Sequence, residues 1–145
     1  RSSDLTKQTI DKIVYSKMAV HESTWFKEHH ILINYEDIKD GDQTIDGKNY
    51  FYEYLSSVGV SPEDGARPLE RTIDEVLTDE IFEQLYFLGR KPEDYFIVDV
   101  SLSGHAPGTF ANGNSGRKTV QDRRQTHISV KRIPSEEYGN YLLTS

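Results

Sequence analysis

Along the first thirty residues the apolar side chains recur every three to four positions. Ile10, Ile13, Val14, Met18 and Trp25, with Lys17 and His21 among them, share one side of a 3.6-residue period. The spacing predicts one or two amphipathic helices from Ser3 to about His29, with Asp4 near the N-cap. The period then changes. ILINYEDI (31–38) is short, aliphatic and β-branched and runs into the cluster DGDQ, which reads as a strand entering a turn. In TIDGKNYFYEYL the dipeptide Asp46-Gly47 is the one favoured by two-residue type I′ turns and stands between residues of good strand propensity. A hairpin is the first reading there and a helix the second.

Ser57 to Pro68 holds two prolines among small residues and reads as a loop. After it, Leu69, Ile73, Val76, Leu77, Ile81, Leu85 and Leu88 repeat at helical spacing with acids opposite, and Gly89 ends the run ahead of Pro92. Tyr95–Ser103 and Thr126–Ile133 read as strands joined by a loop of about twenty residues. Few βαβ units repeat in this order. It predicts an α+β fold, with an N-terminal amphipathic helix and one central helix packed on a mostly antiparallel sheet.

Composition narrows the class. The 145 residues are one domain's worth, read as a single α+β domain over 1–145, and Arg1 in place of Met marks a processed chain or a fragment. Without cysteine, disulfides, thiolate zinc sites, iron–sulfur clusters and cysteine nucleophiles are excluded. No apolar run approaches the ~20 residues of a membrane span, so no membrane partner is expected. With no glycosylation sequon either, the cytoplasm is the favoured compartment, and no cofactor is expected.

Charge changes the picture more. The net charge of −7 argues against a chain that coats nucleic acid over its whole surface. Its distribution is uneven: residues 1–100 carry 11 bases and 21 acids, residues 101–145 carry 6 and 3. All six of those later cations lie between Arg117 and Arg132. They direct attention to the long loop 104–125, whose glycines and asparagines suit the backbone of an anion-binding nest.

In that loop Arg117, Lys118, Arg123 and Arg124 are candidate phosphate ligands. His105 and His127 bracket them as a candidate catalytic acid and base. Together they match the needs of metal-free ribonuclease chemistry on RNA, or of contact with RNA or DNA in general. The alternative is a non-enzymatic protein-interaction or assembly subunit whose basic loop docks on an acidic partner surface. Self-association is then reasonable, because residues 1–100 offer such a surface. ANGNSGRKT is not a nucleotide-hydrolysing P-loop: Gly116 is followed by Arg117-Lys118-Thr119, and Ala111 stands five places before it.

Other constellations break at a required position, and no metal is expected. His29-His30 point to opposite faces if extended, and His21 and His30 with Glu22 or Glu28 make only a loose cluster. The acidic turn 37–46 fails as a calcium loop in both registers. Pro92-Glu93-Asp94 with Asp99 lacks the lysine of metal-dependent nucleases, since Ser101 stands in its place. Tyr50-Phe51-Tyr52-Glu53-Tyr54 reads as core more readily than as a base-stacking platform.

Overall fold

A computed structural model describes residues 6–61, 63–104 and 122–144. Thr6 opens the first helix, α1 (Lys7–His29): its hydroxyl accepts the N–H of Thr9 and satisfies one donor left free by the helix start. The expected cap, Asp4, lies outside the described residues. α1 ends at His30, which takes a left-handed conformation (φ 58°) and returns its N–H to the Trp25 carbonyl. Val14, Met18 and Trp25 are buried as the period requires, and Ile10 and Ile13 pack at the margin.

β1 (Ile31–Tyr35) follows, then a hairpin of β2 (Ile38–Asp40) and β3 (Gln43–Ile45). Asp40 pairs with Gln43, so Gly41-Asp42 form the two-residue turn, and Gly41 supplies the positive φ (65°) at its first central position. The hairpin thus forms one turn signal earlier than the sequence reading placed it. Asp46-Gly47 starts a helix instead, α2 (Gly47–Gly59), where the Asp46 carboxylate accepts the N–H groups of Lys48 and Asn49. A Cβ on residue 47 would stand 2.2 Å from the Glu36 carbonyl oxygen, so glycine is required there for close approach and not for a turn. The helix carries Phe51, Tyr52, Tyr54 and Leu55 into the core.

α3 (Leu69–Ile73), a π-helical turn (Asp74–Thr78) and α4 (Asp79–Leu88) run on without a break. Their buried positions, Leu69, Ile73, Leu77, Ile81 and Leu85, advance strictly by four. Each step of four overshoots a 3.6-residue turn, and the wider π turn midway absorbs the drift that would carry the stripe off the core. Gly89 closes α4 with positive φ, as its sequence position predicts.

β4 (Tyr95–Ser103) is the central strand of the order β1-β4-β5, antiparallel to β5 (Gln125–Ile133) and parallel to β1. The fold is α+β as expected: β4–β5 and the β2–β3 hairpin pair antiparallel, and the parallel pairing of β1 with β4 makes the three-stranded sheet mixed. Phe96, Val98 and Val100 face the helices; Ile97 and Ile133 face the other side, where Tyr138 of α5 (Ser135–Thr144) covers them. Two side-chain networks tie the layers. The Glu22 carboxylate accepts the hydroxyls of both Tyr35 and Tyr52, joining α1, β1 and α2. Gln84 of α4 donates to the Ile128 carbonyl (2.8 Å) and accepts the Val130 N–H (3.0 Å), occupying the free edge of β5 as a neighbouring strand would.

Candidate functional site

Two places can be built from the residues upward. The first is the start of β5, where the sequence reading concentrated its candidates. His105, Arg117 and Lys118 lie outside the described residues. Arg123 is exposed, but its neighbour Arg124 is buried, with a side-chain exposure of 0%. The Arg124 Nε and one terminal nitrogen donate to Asp122 at 3.0 and 2.6 Å, and the other terminal nitrogen faces the Glu53 carboxylate at 2.8 Å. The rings of Tyr50 and Tyr54 lie 5.0 and 5.3 Å from the guanidinium carbon. Burial works against the charge, yet the bonds to Asp122 and Glu53 outweigh it and hold the guanidinium well above its ordinary range. The Asp122 carboxyl, pushed up by burial, is pulled lower by Arg124 on balance. This cation is spent inside the protein, where it ties the root of the loop to α2.

His127 is exposed on β5, its Nε2 2.9 Å from the Ser103 hydroxyl and its register partner Ser101. The remaining histidines are separately engaged. His21 meets the Glu70 carboxylate, His29 Nδ1 accepts from Arg90 at 2.8 Å, and His30 stacks on Tyr95. In the acidic turn, Asp37 accepts the Gly47 N–H and Asp46 caps α2, so two of its carboxylates serve the backbone.

The second place is the turn before α3, which the sequence reading treated only as a loop. Ser61 and Gly65 exchange backbone hydrogen bonds of 2.9 and 2.8 Å, the Ser61 hydroxyl accepts the Asp64 N–H, and Gly65 has φ 63°. The Arg67 N–H then bonds the Asp64 carbonyl, and the Pro68 carbonyl receives the Thr72 N–H as α3 begins. Gly59 lets α2 approach α3 so closely that a Cβ there would stand 2.8 Å from Leu69 Cδ1. Arg67 is therefore displayed on a hydrogen-bonded turn. Its side chain is exposed, and no carboxylate pairs with it among the described residues.

A family model of the C-terminal, D2-small domain of ClpB protein matches residues 5–95, from the start of α1 to the first residue of β4. The chain belongs to the ClpB D2-small domain family. Two curated relatives, the chaperone protein ClpC1 of Arabidopsis thaliana chloroplasts and the chloroplastic ClpA homologue of Brassica napus, an ATP-dependent Clp protease ATP-binding subunit, are each 33% identical over 91 residues. That stretch is 63% of this chain and 10% of either relative. D2-small membership overturns the expected nucleic-acid-binding and ribonuclease role; a non-enzymatic interaction or assembly module fits better. All six residues chosen for nuclease chemistry lie beyond residue 95, outside the D2-small match. Within the match the sequence reading weighed His21, His29, His30 and the acidic turn but passed over Arg67, because a lone arginine in a Pro- and Gly-containing loop has no local pattern to mark it. No helix among the described residues is long and apolar enough to cross a membrane.

Proposed function

We propose that the chain serves as the small C-terminal module of a Clp-type chaperone subunit, a rigid non-enzymatic body that works against an ATP-binding part of the same assembly. The family match over 5–95 carries this reading. One relative is named an ATP-binding subunit, whereas this chain's own Gly-rich text departs from a P-loop, so the nucleotide is held by another part of the protein. The contribution of this module is then positional and electrostatic. Arg67 is its best-placed group: a fork of N–H donors on the turn that the Ser61–Gly65 pairing holds, with no acid paired to it among the described residues.

The test joins the chain to the ATP-binding part of a Clp subunit in place of that subunit's own small domain. The chimera should hydrolyse ATP. Arg67→Ala should lower turnover roughly tenfold to a hundredfold, the loss of a hydrogen bond to a charged group, while Arg67→Lys should retain part of it. ATP turnover unchanged in Arg67→Ala would remove the role assigned to this residue, and an inert chimera would count against the module itself.

A further inference from the structure

The ends of α4 and α1 bring basic side chains around one open cleft of about 330 Å3. Arg90 and Lys91, just past Gly89, line it from one element; His29 and His30, where α1 stops, line it from the other. The Arg90 guanidinium donates to His29 Nδ1 at 2.8 Å. Phe82 seats both partners, its ring 4.9 Å from the His29 ring in edge contact and 5.8 Å from the guanidinium carbon. His30 is fixed by its left-handed backbone and by its stack on Tyr95, with centroids 4.6 Å apart.

The cations of this cleft lack a carboxylate. Neither Arg90 nor Lys91 forms a side-chain ion pair among the described residues, and the imidazole takes only one of the guanidinium N–H donors. Of the two acids on the lining, Asp94 is already matched, accepting the Lys91 N–H at 2.9 Å and Arg132 Nε at 3.2 Å. Glu28, which is exposed, is the opposing charge that remains. A guanidinium bonds an oxyanion about twice as strongly as a neutral acceptor, so a fork resting on neutral imidazole is an incomplete arrangement. One fork satisfies a planar carboxylate. Fork, ammonium and imidazole together offer donors from three directions, which suits a tetrahedral dianion.

We infer that the cleft between Arg90–Lys91 and His29–His30 binds a phosphate-class oxyanion, gripped by the Arg90 fork and the Lys91 ammonium and bridged to His29. Burial, then Arg90, disfavours the protonated His29 ring in the empty cleft. An oxyanion offsets the Arg90 charge and draws a proton onto that ring, so affinity rises as pH falls. The charges facing the ring are Arg90 from the end of α4 and Glu28 and His30 from α1, with Asp94, held by Arg132, on the same lining. Because the cleft is open, the phosphate group arrives either as the free ion or on a phosphorylated side chain. The site shares no residue with the Arg67 turn and stands independent of the role proposed there.

The test follows the His29 ring resonances by NMR in the 145-residue chain, assigned with His29→Gln, as sulfate replaces chloride at constant ionic strength. Sulfate stays a dianion across the range in which histidine titrates, so only the protein changes protonation. Millimolar sulfate should shift the ring saturably and raise its titration midpoint by about one pH unit. Arg90→Ala should abolish the saturable shift, and Arg90→Lys should retain part of it. Lys91→Ala should weaken binding about tenfold, the loss of one charged hydrogen bond, and Glu28→Gln should tighten it. Lys91→Glu, at an exposed position, should abolish binding with circular dichroism unchanged, which decides the matter should Arg90→Ala unfold. Inorganic phosphate and a phosphoserine peptide separate the sources: equal affinity assigns the free ion, tighter peptide binding a phosphorylated side chain. A ring that sulfate does not move, a shift that survives Arg90→Ala, or affinity that weakens as pH is lowered overturns the inference.

Discussion

Arg124 separates a residue's charge from its availability. In the sequence it is one of six cations in a basic stretch; in the fold it is an internal strut between Asp122, Glu53 and two tyrosine rings. Replacing it by Met would take the cation from the Asp122 side chain, 2% exposed, and leave it only the residue-124 N–H and the Ser57 hydroxyl. Such breakage costs about 3–5 kcal/mol, which a denaturant titration of Arg124→Met should show, and adding Asp122→Asn should recover much of the loss. His29 is a second case. Burial, then the Arg90 guanidinium, lowers its affinity for a proton below the ordinary value of 6.5. A group depressed in the folded state contributes stability above its unfolded value and loses it as pH falls. The denaturant midpoint should therefore drop as pH is lowered from 7.5 through 6.5, and His29→Gln should flatten that slope.

At the scale of elements, α3–α4, β4 and β5 are legible because period and stop signals are local. Leu69 to Leu85 repeat on one face, Gly89 ends the helix, and the strands match their expected bounds within a residue. Asp46-Gly47 is not legible in the same way, since the same dipeptide serves a hairpin turn or a helix start. Contact with the end of β1 and the residues after it decides between them: Gly47 is pressed against the Tyr35 and Glu36 carbonyls and donates to Asp37. Gly47→Ala should cost roughly 1–3 kcal/mol or more through that clash, read as a lower Tm. Gly139→Ala, in α5 with open space around the added methyl, should leave Tm unchanged or raise it.

For the whole molecule, the contrast between an acidic first hundred residues and a basic remainder was read as a nucleic-acid site. The family match places the weight elsewhere, on residues 5–95.

By itself the sequence determined the α+β class, the stripes of α1 and of α3–α4, and the positions of β4 and β5, because each follows from repeat distances within a dozen residues. The tertiary structure decided the parallel pairing of β1 with β4, the helix at Gly47, the burial of Arg124 and the exposure of Arg67. Each of these depends on contacts between segments far apart in the chain, whose energies no local pattern records.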